Sequence, residues 1–136
     1  MTTELAKAES MDFNIPEGYI CTVDLSNKEG AIVVANALNN STSLEEYLGD
    51  DKDKILNVKD FVTVPGVRAR TGEQCINTHL VLEDGTTLFT QSDGIARSVR
   101  FIVGFIGQYI SDGINLRVKE QKLANKNTLK TLEIVA

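Results

Sequence analysis

The chain has 136 residues, of which 42% are apolar and 24% charged, and its net charge is −5. This length suits one domain with a sizeable core, and no apolar run is long enough for a transmembrane helix. Residues 1–64 carry five Lys/Arg against twelve Asp/Glu, whereas residues 65–136 carry nine against seven. An acidic protein is a poor candidate for wrapping duplex DNA, although a locally basic face can still bind nucleic acid.

Residues 1–18 are predicted to form a flexible acidic tail that ends in turn residues. No linker or repeat follows, so residues 19–136 are predicted to be a single binding domain. The tail has no apolar stretch preceded by basic residues, and we therefore expect no secretion signal and a cytoplasmic protein. In that compartment Cys21 and Cys75 are expected to be reduced.

The first elements of the domain differ in how clearly the sequence defines them. Residues 19–25 alternate between apolar and polar positions and predict a strand. Residues 31–38 are apolar on both faces, a pattern that fits a buried strand or a short helix equally well. Ser43 followed by Glu46 is typical of a helix start, so a short helix or an irregular loop is expected there.

Residues 55–64 alternate clearly and predict a strand. Its inner face is predicted to carry Leu56, Val58, Val62 and Val64. Lys59 and Phe61 are then expected on the outer face. A Pro-Gly pair at 65–66 suits a type II turn. The loop that follows presents two arginines, Arg68 and Arg70.

An Asp-Gly pair at 84–85 lies between two alternating segments and is a strong hairpin signal. The two strands are predicted over residues 74–83 and 86–91. A two-residue turn would pair Phe89 with Leu80 in the core. A three-residue turn would pair Phe89 with Val81 and place it on the face of His79. We favour the second register, with Phe89 outward.

Ser92 can cap a helix over residues 93–110, which Gly113 would end. The buried face is predicted from helical spacing to contain Ile95, Val99, Ile102, Val103, Ile106 and Ile110. A second stripe, four residues apart, contains Phe101, Phe105 and Tyr109. We interpret this stripe as core or as a surface for self-association, so a homo-oligomer through the face of helix 93–110 is one expectation.

Two further strands are predicted over residues 114–122 and 127–135, with Arg117 and Lys119 facing outward on the first. This order of elements predicts a mainly β fold, an OB-like antiparallel barrel of five to seven strands with one amphipathic helix over residues 93–110. The alternative is an α+β fold in which a helix packs on an antiparallel sheet.

The sequence contains no phosphate-binding loop, dinucleotide-binding fingerprint or nucleophile elbow. His79 is the only histidine, and Cys75 on the same strand face is about 13 Å away, too far for a nucleophile–base pair. Cys21, Cys75 and His79 also lack the spacing of a zinc site. We therefore expect a protein that is not an enzyme and has neither a cofactor nor a metal.

Outward-facing cations and aromatic rings are the feature that could bind a ligand. Single-stranded nucleic acid needs both, because charge follows the backbone while rings stack on bases. The predicted binding residues are Lys59, Phe61, Arg68, Arg70, Phe89, Arg117 and Lys119. The residue pattern fits equally well a solvated charged face with Phe61 packed under a loop. A protein–protein interaction or assembly module using the apolar helix face is the alternative function.

Two segments carry a family resemblance: Glu29-Gly30 followed by an apolar run and Asn36-Ala37, and Leu82 to Phe89 around Asp-Gly. They resemble the single-stranded-DNA-binding proteins of small protein-primed tailed phages of Gram-positive bacteria. The resemblance implies an OB-like fold and sequence-tolerant binding that protects single-stranded DNA during phage replication in the cytoplasm of an infected bacterium. It also implies that Phe89 stacks on bases. The absence of a long apolar run separately predicts that no membrane is involved.

Overall fold

The computed structural model describes residues 19–124 and 127–135, so the acidic tail predicted over residues 1–18 lies outside the described residues. The elements in chain order are β1 (Ile20–Cys21), α1 (Lys28–Asn40), β2 (Thr42–Ser43), α2 (Leu44–Leu48), β3 (Leu56–Val67), β4 (Gln74–Leu82), β5 (Thr87–Thr90), α3 (Asp93–Ile106), a 3₁₀ helix (Gly107–Asp112), β6 (Ile114–Lys122) and β7 (Thr128–Ile134).

The strands form one curled sheet in the order β2-β5-β4-β3-β6-β7, and β1 also pairs with β3. Strand β3 pairs with β4 along most of its length. The opposite edge of β3 pairs first with β6 and then with β1. The fold is therefore mostly β, with a sheet curled into half a barrel. The prediction of a purely antiparallel sheet is wrong, because β2 runs parallel to β5.

A β-bulge in β3 changes which side chains enter the core. The ladder with β4 skips Lys59 between Val58 and Asp60, so one extra residue is inserted. Because side chains alternate along a strand, the insertion moves every later position to the opposite face. Phe61 is therefore fully buried in the core, and the prediction of an outward Phe61 is wrong. Val62 faces the other side of the sheet.

Thr22 fixes the geometry of this bulge. Its hydroxyl donates to Oδ1 of Asp60 at 2.8 Å and accepts from the backbone N–H of Phe61 at 2.9 Å. The backbone N–H of Thr22 also donates to the Phe61 carbonyl at 3.0 Å. Partial burial raises the pKa of Asp60, and the hydrogen bond from Thr22 opposes this shift. The residue after β1 thus sets the position of Phe61.

The strand predicted over residues 19–25 is shorter in the structure, because a turn follows it. The carboxylate of Asp24 accepts from the N–H and the hydroxyl of Ser26 at 2.9 and 2.6 Å, an Asx-type turn. The side chain of Asn27 then caps α1 by accepting from the N–H of Gly30 at 2.7 Å. The segment 31–38, which fitted a strand or a helix, is therefore helical.

The hairpin after β4 has a three-residue turn, shifted by one residue from the predicted one. Leu82 pairs with Thr86 through a 2.8 Å hydrogen bond, and Gly85 adopts a φ of 93° that favours glycine. Phe89 consequently pairs with His79 rather than with Val81. Its predicted placement on the face of His79 is nevertheless confirmed.

Strands β3 and β6 each bear on a further prediction. The Pro-Gly pair at 65–66 does not form a turn, since both residues continue β3 opposite Ile76 and Cys75. The outward placement of Arg117 and Lys119 on β6 is confirmed, with Leu116 and Val118 buried beneath. No disulfide joins the two cysteines.

The amphipathic helix α3 covers the inner face of the sheet. Ser92 caps it as predicted, accepting from the N–H of Ile95 at 3.2 Å. The predicted inner positions Ile95, Val99, Ile102 and Ile110 are buried among the core residues of the sheet. The α-helix ends at Ile106 and continues as a 3₁₀ helix. Besides this amphipathic helix, the structure contains α1 and α2, which resolve the two segments that the sequence left open in favour of helix.

Helix α3 also lies against the outer edge of β7. A Cβ at Gly94 would collide with the carbonyl oxygen of Lys130, so glycine is required for this close approach. The hydroxyl of Ser98 accepts from the backbone N–H of Leu132 at 3.1 Å. Lys130 in turn forms an ion pair with Glu45 of α2 at 3.1 Å. Helices therefore cover this edge of the sheet. None of the described helices is long and apolar enough to cross a membrane.

The buried position of Phe61 can be tested by truncation. We expect Phe61→Ala to lower the free energy of unfolding by about 3–5 kcal/mol, the usual cost of removing a buried aromatic ring. Lys59→Ala, at the exposed bulge residue, should change it by no more than about 0.5 kcal/mol. Urea unfolding followed by circular dichroism measures both. A similar small effect for the two variants would contradict the burial of Phe61.

Candidate nucleic-acid interface

The structure brings two of the predicted binding residues into one depression. Arg68, just after β3, and Phe89, on β5, both line a cavity of about 560 Å³ at the start of α3. Lys130 of β7 lines the same cavity. Arg70 is exposed in the adjoining loop, which is closed by a 2.8 Å hydrogen bond from Gly72 N–H to the Arg68 carbonyl. This end of the sheet therefore combines cations with an aromatic ring.

Three other predicted residues lie towards the opposite end of β3. Lys59 precedes Arg68 by nine residues, about 30 Å along an extended strand. It borders a depression that also contains Asp24, Asp60 and two glutamates, so its surroundings are acidic. Arg117 is held by an ion pair with Glu133 at 2.7 Å. Lys119, two residues further along β6, is exposed.

The predicted set therefore does not form one surface. Phe61 is in the core and cannot reach a ligand, because the bulge at Lys59 turns its side chain to the inner face of the sheet. Arg68 and Phe89 share a cavity, whereas Lys59, Arg117 and Lys119 belong to the other end of the sheet.

Phe89 is half-buried because α1 packs over its face of the sheet. Its ring centroid lies 5.3 Å from that of His79, with the two rings tilted by 38°. A second cavity of about 410 Å³, lined by Leu38, Val64 and other residues, reaches the same ring from the side of α1. Phe89 thus has cavities on two sides, which leaves part of its ring accessible to a ligand.

His79 serves to hold the end of α1. Its Nδ1 lies 3.0 Å from the hydroxyl of Ser41, and that hydroxyl donates to the carbonyl of Ala37 at 2.6 Å. Because the Ser41 proton is already committed to a carbonyl, Nδ1 is the donor in the other bond. A histidine in that role does not activate the hydroxyl as a nucleophile. Burial lowers the pKa of His79, and the Ala37 carbonyl partly opposes the shift.

Next to the Arg68 cavity lie three residues that were not among the predicted binding residues. Tyr19, Arg97 and Arg100 line a depression of about 350 Å³. Asp93 borders both this depression and the cavity of Arg68 and Phe89, so the two adjoin. We call the arginines and the two rings that line these two cavities the arginine–aromatic band: Tyr19, Arg68, Phe89, Arg97 and Arg100. Arg97 lies four residues before Phe101, so helical spacing could have placed it in line with the aromatic stripe.

The band is locally basic in an acidic protein. Asp93 forms an ion pair with Arg68 at 3.1 Å. Among residues 19–124 and 127–135, neither Arg97 nor Arg100 forms an ion pair. The two cavities thus contain three arginines and Lys130 against two carboxylates, Asp93 and Glu45, and Glu45 is paired with Lys130. Both Arg97 and Arg100 are exposed, which leaves their guanidinium groups available for phosphate.

The aromatic stripe predicted on α3 is exposed rather than buried. Phe101, Phe105 and the 3₁₀-helix residue Tyr109 are 56%, 82% and 59% exposed. They continue the line of Arg97 at intervals of four residues. Gly104, beside Phe105, has open space where a side chain would be. The stripe therefore exposes three aromatic rings on the helical segment that also carries Arg97 and Arg100.

No three His, Cys, Asp or Glu side chains in the described part of the chain form a group that could hold a metal ion. No family model matches this chain, and no curated protein or solved structure is significantly similar to it.

The lowered pKa of His79 predicts a pH dependence of stability. Since the unfolded chain binds a proton near pH 6.5 and the folded protein binds it only at lower pH, stability is present above 6.5 and is lost as the pH falls below it. We expect His79→Gln to show a smaller loss between about pH 7.5 and about pH 5.5, a window around the ordinary histidine pKa. Urea unfolding at both pH values measures this. An equal loss in the two proteins would contradict it.

Proposed function

We propose that this protein binds single-stranded DNA without sequence preference and without catalysis. The observation that carries the proposal is the arginine–aromatic band, in which Arg68 and Phe89 line one depression and Tyr19, Arg97 and Arg100 line the depression that adjoins it. Guanidinium groups can bind successive phosphates while the rings stack on unpaired bases. The resemblance in residues 82–89 to phage single-strand-binding proteins supports the same function.

Single strands fit this surface better than a duplex does. Tight binding to a duplex relies on many phosphate contacts, and the net charge of −5 opposes a wide basic footprint. Bases in a duplex are also stacked on each other and are unavailable to rings. Each base stacked on a protein ring contributes about 1–3 kcal/mol, so two rings and three arginines suffice for useful affinity.

The proposal extends to the fold and to the biological setting. The half-barrel with a helix on its inner face fits an OB-like barrel, a fold that frequently presents single strands to one side of a curled sheet. Protection of single-stranded DNA during phage replication, in the cytoplasm of an infected bacterium, is the role that the resemblance supports.

Loss of charge from the band tests this function. We expect Arg97→Ala/Arg100→Ala to weaken binding of labelled oligo-dT and to reduce the log–log salt slope by about 1.4, since each phosphate contact with a single strand contributes about 0.7. Lys59→Ala/Lys119→Ala removes two exposed cations from the other end of the sheet and is the matched control. Fluorescence anisotropy at several salt concentrations measures both.

The two double variants have the same net charge, so a difference between them reports the location of the site. Equal weakening would mean that only the overall charge matters. Absence of wild-type binding at low salt, with duplex DNA and RNA also unbound, would exclude nucleic acid as the ligand.

A second function, assembly with another copy of the chain, is favoured by the exposed aromatic stripe. Phe105 is 82% exposed, and contiguous exposed rings are typical of interaction surfaces. This function predicts an oligomer whose mass does not change on addition of DNA. Phe105→Ser should then give a monomer of unchanged stability, as measured by light scattering and urea unfolding. A monomeric wild-type protein would exclude it.

A further inference from the structure

The described chain begins beside two arginines that have no ion-pair partner within it. Tyr19 lines the same depression as Arg97 and Arg100, and all three are exposed. The preceding segment, residues 1–18, is therefore attached at the point where the arginine–aromatic band meets the aromatic stripe of α3. A segment attached there has a high effective concentration at both surfaces.

We propose that residues 1–18 bind within the same molecule to Arg97, Arg100 and the neighbouring rings of Phe101 and Phe105, and compete there with single-stranded DNA. The intramolecular contact stands by itself, whereas the competition rests on the proposed function. The segment would act as an acidic mimic of the nucleic-acid strand, lowering affinity until DNA displaces it.

Charge complementarity supports residues 1–18 as the segment that binds these arginines. Residues 1–18 contain four carboxylates and a single lysine; the carboxylates belong to Glu4, Glu9, Asp12 and Glu17. The basic groups that share a depression with Tyr19 are Arg97 and Arg100, about one helical turn apart on α3. Glu17 is two residues before Tyr19, which lines the same depression as both arginines. Arg–carboxylate pairs of this kind have well-defined geometry.

The apolar residues of the segment match the stripe in spacing. Phe13 precedes Tyr19 by six residues, an extended reach of about 20 Å. Arg97 and Phe105 are separated by eight helical residues, about 12 Å. Phe13 can therefore reach either Phe101 or Phe105 without strain. Docking one ring there would cover part of a surface that otherwise remains exposed to water.

The position of Phe13 can be measured directly, because the chain contains no tryptophan. In full-length protein carrying Phe13→Trp, we expect a blue-shifted indole emission that is protected from acrylamide. Adding Arg97→Ala/Arg100→Ala, raising the salt concentration or adding oligo-dT should each shift the emission towards that of the urea-unfolded chain. An indole that is already exposed, and that none of these changes affects, would overturn the inference.

Neutralising the segment tests the competition. The variant Glu4→Gln/Glu9→Gln/Asp12→Asn/Glu17→Gln should bind oligo-dT about 5- to 150-fold more tightly, the usual range of coupling between two binding events. The matched control neutralises four exposed carboxylates elsewhere: Glu46→Gln/Asp50→Asn/Asp53→Asn/Glu120→Gln. An equal gain in both variants would overturn the competition.

The two readouts separate this inference from the proposed function. A protected indole without oligo-dT binding would keep the intramolecular contact and exclude the DNA-binding function. Oligo-dT binding with an exposed indole would keep the function and exclude the contact. Protection of the indole that disappears on dilution would show that the segment binds a second copy, which also overturns the inference.

Discussion

The inserted residue at Lys59 is the constraint on which the rest of the structure depends. It allows Val58 and Phe61 to face the same side of β3, although they are three residues apart. Thr22 fixes this geometry with bonds to Asp60 and to the backbone of Phe61. Without the bulge, Phe61 would leave the core, and the inner face that packs against α3 would lose its largest fully buried side chain.

The sequence predicted the elements whose local pattern is strong. Residues 114–122 and the capped start of α3 were predicted correctly, because alternation and helical spacing report directly on burial. The bulge could not be predicted, since Phe61 is apolar and Asp60 polar in either register. The helix at 28–40 was ambiguous for a different reason. The apolar run at 31–38 fits the spacing of a strand and that of a helix equally well. The side chain of Asn27, which caps the helix, lies outside that run.

The candidate site was only partly predictable because it depends on tertiary contacts. Arg68 follows β3 and Phe89 lies on β5, and the two share only the cavity beside α3. Arg97 and Arg100 adjoin them because α3 begins at that cavity and Asp93, its first residue, borders both depressions. The side chain of Arg117 faces outward as predicted, but it forms an ion pair with Glu133 on the neighbouring strand, which the spacing of β6 alone did not indicate. Spacing along the chain indicates which side chains are exposed, but not which exposed side chains are neighbours.

The contact between Ser98 and β7 has a consequence for how copies of this protein can meet. A strand at the end of a sheet normally offers backbone groups that recruit a strand from another chain. Here the outward N–H of Leu132 is already bonded to Ser98, and helix α3 lies over the carbonyl of Lys130. Growth of the sheet from one molecule to the next is blocked at this edge. Any contact that a second copy makes at this edge must therefore be formed by side chains rather than by shared backbone hydrogen bonds, and such a contact separates without breaking a ladder.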